Sequence, residues 1–181
     1  GQAVAHETRA LVGDIVGALG GVGDRIRFRQ HTCGPLHIFA PPVRETDDEQ
    51  TGRTLPAHRY VVAVDAASGT AQDWSAIQVL DVEAFAQVAE FQGKLDPDQL
   101  AEQAFRLAAL YNGALIVPET TGGFGFAVTK AVQGLLPAWQ GGDKSRPKLY
   151  TRRVIDRLSQ QFTDKLGVDT KAVYAELAKE M

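Results

Sequence analysis

Two acidic side chains in this sequence directly follow short apolar segments, a position from which a carboxylate can hold a cation. Asp65 comes after the apolar run 60–64, and Glu119 comes after the run 114–118, which ends in proline. Both runs are typical of buried strands, so each acid is expected where a central strand reaches the edge of its sheet. Asp65 could instead cap the following turn through hydrogen bonds to its own backbone, and this stretch alone leaves both interpretations open.

A shared divalent cation is the chemistry that two such acids would support. If the strands before Asp65 and Glu119 are neighbours, the two carboxylates emerge at the same end of the sheet and repel each other unless a cation lies between them. Hard oxygen ligands suit Mg²⁺ or Mn²⁺, and a pair of these ions can drive phosphodiester cleavage. Asp73 could add a ligand, although capping a turn explains it equally well.

The elements predicted around these acids indicate a mixed sheet. An antiparallel meander continues through a helical crossover into a parallel strand, and a glycine-rich turn then opens a second helix. The predicted elements are strands at 60–65, 74–80 and 86–91, a helix between Asp96-Pro97 and Asn112-Gly113, a strand at 114–117, a helix from the 120–125 loop to about 136, and an edge strand at 147–150.

The segments outside this core carry weaker patterns. Residues 2–20 are predicted to form a helix, because their apolar residues follow a loose stripe that ends at a glycine pair. Two short strands are predicted at 25–29 and 36–40. Residues 44–58 are polar and acidic and are predicted to be an exposed loop. Residues 154–162 and 170–180 have partial helical periodicity.

Composition limits the classes of function. The chain has 181 residues, 44% of them hydrophobic, and a formal net charge of −3, so a nucleic acid would have to meet a local basic patch. Cys33 is the only cysteine, which excludes an internal disulfide and a thiolate zinc cluster and favours a reducing cytosol. The four histidines lack ligand spacing and are interpreted as surface or packing residues. No membrane span or signal peptide is predicted.

The densest basic cluster lies near the C-terminus. We interpret it as a candidate contact for DNA phosphates, with a solvated loop as the equally good alternative. Its members are Lys144, Arg146, Lys148, Arg152 and Arg153.

Several motifs together resemble the nuclease domain of the large terminase subunit of tailed phages. The likeness runs from about Phe28 to the C-terminus, and the order and spacing of the motifs carry it. They are Tyr60-Val61-Val62-Ala63-Val64-Asp65 with Gly69, Asp73-Trp74-Ser75-Ala76, Tyr111-Asn112, Ala114-Leu115-Ile116-Val117-Pro118-Glu119 with Gly123 and Gly125, Leu149-Tyr150-Thr151-Arg152-Arg153, and Leu166-Gly167-Val168-Asp169-Thr170.

The resemblance implies a ribonuclease H-like α/β fold and a metal-dependent endonuclease that cuts concatemeric double-stranded viral DNA. By position, Asp65 matches the family's first metal-binding acid, Glu119 the second and Asp73 an auxiliary one, with Mg²⁺ or Mn²⁺ as cofactor. Residues 1–25 would be a helix or linker from a preceding domain, and residues 26–181 the nuclease domain. The chain is expected to be a phage or prophage protein that acts in the host cytoplasm, with the portal protein and the small terminase subunit as further partners.

The chain departs from the family pattern in two respects. The family's third acid lies in a closing helix, and the late acids here come too early to match it, so that helix is expected to be missing; they are Asp156, Asp164 and Asp169. No phosphate loop is found, so the ATPase motor is expected to be absent from this chain. Alternative interpretations are a non-catalytic module that docks DNA or the portal, and a transposase- or resolvase-like nuclease of the same fold. An actin-like ATPase is disfavoured because a second phosphate turn is not visible.

Overall fold

The computed structural model describes residues 10–19, 25–67, 73–120 and 124–150. The chain separates into two units, Gly1–Leu149 and Tyr150–Met181, and the architecture below is that of the first. Several predicted features lie outside the described residues: the helices at 154–162 and 170–180, the basic residues Arg152 and Arg153, and the late acids Asp156, Asp164 and Asp169.

Ten strands and two α-helices make up the described elements. In chain order they are β1 (Leu11–Val16), β2 (Arg27–Gln30), β3 (Leu36–Ile38), β4 (Thr46–Asp48), β5 (Arg53–Leu55), β6 (Tyr60–Asp65), β7 (Ser75–Asp81), β8 (Ala86–Gly93), α1 (Pro97–Leu110), β9 (Leu115–Pro118), α2 (Phe124–Leu135) and β10 (Lys148–Leu149). Two short 3₁₀ turns, Leu136–Ala138 and Asp143–Ser145, precede β10.

An eight-stranded mixed sheet with the order β10-β9-β6-β7-β8-β3-β1-β2 organises the fold. β6, β7 and β8 form an antiparallel meander, whereas β9 runs parallel to β6 and β10 runs parallel to β9. The parallel strands follow helices because a parallel connection needs a crossover. This arrangement confirms the predicted mixed α/β sheet, in which an antiparallel meander is joined to parallel strands.

Alternating burial explains why the central strand forms where it does. Tyr60, Val62 and Val64 of β6 are at most 3% exposed, whereas the residues between them are only half-buried. The buried side chains belong to the same core cluster as those of α1, among them Leu100 and Leu107. A strand that buries one face against a helix in this way stays in one register, since a slip of one residue would expose its apolar side chains.

The first helix begins and ends where the sequence predicts. The Asp96 carboxylate accepts a hydrogen bond from the Gln99 amide at 2.8 Å, and the Gln99 side chain accepts one from the Asp96 amide, so the two form a capping box ahead of Pro97. Beyond the helix, Asn112 and Gly113 adopt positive φ angles of 56° and 70°. Asparagine and glycine tolerate this left-handed conformation best, which explains why the chain turns into β9 there.

The helix predicted over residues 2–20 is wrong for its described part. Residues 11–16 form β1, which pairs with β2 on one side and β3 on the other. Valine and isoleucine favour strands, and in β1 the buried positions Gly13 and Ile15 alternate with less buried ones. A period of two therefore fits this segment better than the loose helical stripe, and pairing with two neighbours fixes it as a strand.

The prediction of an exposed loop over residues 44–58 is correct about exposure, but part of the segment forms two strands. β4 and β5 form a separate two-stranded antiparallel sheet around a turn in which the Gly52 amide donates to the Asp48 carbonyl oxygen at 2.8 Å. The Asp48 carboxylate accepts hydrogen bonds from Gln50 and Thr51, so this acid stabilises a tight turn.

Among the described helices, none has the length and apolarity needed to cross a membrane.

Candidate functional site

Asp65 and Glu119 lie side by side at the ends of two neighbouring strands. β6 and β9 pair in parallel with Val64 opposite Pro118, so the next residue on each strand is an acid. The Glu119 amide donates a hydrogen bond to the Val64 carbonyl oxygen at 2.8 Å, which extends the pairing to the level of the two acids. Both acidic residues are exposed. The two strands are therefore neighbours, which meets the condition for a shared cation, while the role of the acids as metal ligands stays a prediction.

A buried serine holds the chain that leaves Asp65. The Ser75 side chain, only 1% exposed, accepts a hydrogen bond from the Ala67 amide at 3.1 Å. Ser75 begins β7, and Ala76 is the residue paired with Asp65. The hydrogen bond therefore ties the segment after the first acid to the start of the neighbouring strand, and it limits how far that acid can move.

A close backbone contact holds the second acid. Gly125 lies in the first turn of α2, and a Cβ atom added there would overlap the carbonyl oxygen of Glu119 and contact the Cα of Thr120 at 3.1 Å. Only glycine allows this approach. The helix start thus lies directly against the strand end that carries Glu119, which explains why position 125 is a glycine.

Asp73 lies on the same edge of the sheet as the acid pair. It is exposed and stands three residues before Ala76, the partner of Asp65 in the ladder. The neighbouring Trp74 is 65% exposed, and the Lys94 ammonium lies 5.4 Å from the centre of its ring. The structure therefore puts Asp73 in the vicinity of the strand end that carries Asp65, and its role as an auxiliary ligand stays a prediction.

The described members of the basic cluster, Lys144, Arg146 and Lys148, lie at the opposite end of the sheet from the acids. Lys148 of β10 pairs with Leu115 at the start of β9, roughly 13 Å along the strand from Glu119 at about 3.3 Å per residue. Lys144 is ion-paired with Glu45 at 2.8 Å. Arg146 donates to the Leu136 carbonyl oxygen at 3.4 Å. The structure does not bring these three side chains to the acid pair.

A second group of ionisable side chains, which the sequence interpretation missed, lies at that opposite end. The ligand atoms of His58, Asp81 and Glu83 all lie within 4.8 Å of one another. The signal was present in the predicted meander, because the start of β6 meets the end of β7, where Tyr60 pairs with Asp81. The interpretation of His58 as a surface or packing residue did not include this bond between its ring and a buried carboxylate.

Hydrogen bonds keep both acids of this second group ionised. Burial raises the pKa of Asp81, but hydrogen bonds from His58 and from the backbone amides of Ala84 and Glu83 outweigh it and hold that pKa below its ordinary value. The Arg59 side chain and amide both donate to Glu83, at 2.6 and 2.7 Å, and lower the pKa of that carboxyl. Glu83 is thus already engaged by a cationic side chain.

Comparison with known proteins gives a likeness in structure only. No protein-family model and no curated protein matches the chain. It is similar to the large terminase nuclease from thermophilic phage G20c with bound magnesium, at 19% identity and a TM-score of 0.45, over 71% of this chain and 58% of that one. The same nuclease with bound cobalt gives 16% identity, a TM-score of 0.43 and coverage of 71% and 57%. The chain thus spans less than two thirds of these two structures.

Proposed function

We propose that this chain contains the nuclease domain of a viral DNA-packaging terminase large subunit, a divalent-metal-dependent endonuclease acting on concatemeric double-stranded DNA. The observation that carries the proposal is the pair Asp65 and Glu119 on adjacent parallel strand ends. The order and spacing of the sequence motifs that resemble terminase nucleases support the choice of family and of substrate.

The residues at this edge fit a divalent cation. Two exposed carboxylates at neighbouring strand ends repel each other, and a cation between them removes that repulsion. An all-oxygen donor set favours Mg²⁺ or Mn²⁺ over softer metals. In the proposal Asp65 and Glu119 hold the metal, and Asp73 contributes directly or through water.

The chain's own part in the reaction is to position these oxygens. When bound, such ions activate water and stabilise the leaving oxygen in phosphodiester cleavage. Asp65 is steadied from one side by Ser75, through the amide of Ala67. Glu119 is steadied from the other side by Gly125 and by its amide's hydrogen bond to Val64. Contacts that hold the backbone of both strand ends would reduce the rearrangement needed when the metal and the DNA phosphate arrive.

The proposal also includes contacts with the rest of the DNA and with partner proteins. The basic residues are candidates for DNA phosphate contacts, and the portal protein and small terminase subunit are candidate partners in the host cytoplasm. Because its described members lie far from the acid pair, the basic cluster would hold DNA at a distance from the scissile bond. The cluster comprises Lys144, Arg146 and Lys148, with Arg152 and Arg153 outside the described residues.

Cleavage of a supercoiled plasmid tests the proposal. Wild-type protein should nick the plasmid with Mn²⁺ or Mg²⁺ and not with EDTA, and Asp65→Asn and Glu119→Gln should lose the activity while their circular dichroism spectra stay unchanged. Asp143→Asn, which changes an exposed acid preceding β10, serves as the matched control and should cut normally. Full activity in folded Asp65→Asn protein would rule out the proposed role of this acid. Metal-independent binding of DNA without cleavage would favour the docking module instead.

A further inference from the structure

A cavity of about 520 Å³ opens at the end of the sheet opposite Asp65 and Glu119. Its walls come from the start of β6, the start of β9 and the loops beside them. Most of the wall is apolar, as at Val61, Val82 and Leu115, and a few polar side chains converge on it. A cavity of this size, largely apolar with a small number of polar groups, is typical of sites for small organic ligands.

One polar group that lines this cavity is His58. Its Nδ1 lies 2.7 Å from Oδ2 of Asp81, a carboxylate that is only 4% exposed. The other carboxylate oxygen accepts hydrogen bonds from the amides of Glu83 and Ala84, at 3.0 and 2.9 Å. Asp81 therefore fixes the orientation of the ring, as a carboxylate behind a ligand-binding histidine does. The second ring nitrogen, Nε2, has no hydrogen-bond partner within the described ranges and is the one available to a ligand.

Two lysine side chains and one carboxylate line the opening. They are Lys144, Lys148 and Glu45, whereas the lining residue Arg59 is already ion-paired with Glu83. Lys144 and Glu45 are both exposed, so their ion pair is weak and an anionic ligand can replace the carboxylate. Lys148 is exposed and makes no ion pair to the part of the chain that the structure describes.

We propose that this cavity binds a phosphate-bearing ligand of nucleotide size. The phosphate would lie between Lys144 and Lys148, beside the His58 ring, since lysine is a common phosphate ligand. The sugar and base would cover the apolar wall. The same chemistry is offered by a free mononucleotide and by the 5′-phosphorylated end of a DNA strand. The proposal uses none of the residues of the acid pair and does not depend on nuclease activity.

Isothermal titration of the intact chain tests this site. The probes are deoxyadenosine 5′-monophosphate, deoxyadenosine, and a short DNA duplex with or without a 5′-phosphate, all in EDTA so that no metal bridges protein and phosphate. Saturable binding of the monophosphate but not of the nucleoside indicates a free nucleotide as ligand. Saturable binding of the 5′-phosphorylated duplex alone indicates a DNA end.

Variants assign the binding to the cavity. Lys148→Ala and Lys144→Ala should each weaken binding about tenfold, the usual effect of losing one charge-assisted hydrogen bond. Lys130→Ala, an exposed lysine of α2 outside the cavity, should leave the affinity unchanged. Both cavity lysines are exposed, so these variants are expected to fold. The proposal is overturned if no probe saturates below about 10 mM, or if Lys148→Ala and Lys130→Ala behave alike.

Discussion

The amide of Glu119 donates a hydrogen bond to the carbonyl oxygen of Val64 at 2.8 Å. This single bond continues the parallel ladder of β6 and β9 to the residue before Asp65, and it aligns the two acids at one edge of the sheet. Their mutual position depends on backbone contacts made by other residues, and those contacts can be tested separately from the carboxylates.

Replacing Ser75 with alanine should destabilise the fold and loosen the segment after Asp65. The change leaves the Ala67 amide without its hydrogen-bond acceptor, which costs about 1–3 kcal/mol of unfolding free energy. Urea denaturation measures the loss. Ser145→Ala is the matched control, because Ser145 makes an exposed hydrogen bond to the Gly142 carbonyl oxygen, and it should cost less than about 0.5 kcal/mol. Equal stability of the two variants would contradict the role assigned to Ser75.

Two glycines of α2 should respond to alanine in opposite directions. A side chain at Gly125 overlaps the Glu119 backbone, so Gly125→Ala must push the helix start away from the strand end and should destabilise the protein by about 1–3 kcal/mol. Gly134 has open space around it, and Gly134→Ala should stabilise the helix by about 0.5–1 kcal/mol. Thermal unfolding of both variants checks the prediction, and a stabilising Gly125→Ala change would refute the close contact.

The free energy of unfolding at low pH should depend on whether the Asp81 carboxyl is ionised. The pKa of this carboxyl is lower in the folded chain than its ordinary value of 3.8, so the ionised form stabilises the fold above that value. The contribution is lost as the pH falls through the folded-state pKa. The difference in unfolding free energy between wild type and Asp81→Asn should therefore have its full value above about pH 5 and shrink below about pH 4. A difference that stays constant down to about pH 3 would show that the ionised form is not what stabilises the fold.

Local sequence patterns predict the parts of the fold that local interactions determine. The Asp96-Pro97 pair specifies the start of α1, and the apolar runs before Asp65 and Glu119 specify two buried strands whose parallel pairing follows from the crossover between them. These predictions are correct because capping, alternation and chain connectivity operate over short stretches.

Features that depend on pairing between distant segments were not predicted. β1 becomes a strand because β2 and β3 flank it, and an isolated segment with the same residues fits a helix almost as well. The bond between His58 and Asp81 joins residues 23 positions apart and needs the register of β6 and β7. The separation of Lys148 from Glu119 likewise depends on the pairing of β10 with the start of β9. The spacing of residues in the sequence does not predict that pairing.

Binding of Mn²⁺ in the absence of DNA tests the central claim most directly. Titration followed by electron paramagnetic resonance gives the affinity of wild-type protein, Asp65→Asn, Glu119→Gln and the control Asp143→Asn. If the two strand-end acids share the cation, each acid variant should bind at least about tenfold more weakly, the effect of losing roughly 1.4 kcal/mol of binding energy, and the control should match wild type. Wild-type affinity in both acid variants, with the fold intact, would contradict a metal centre at Asp65 and Glu119.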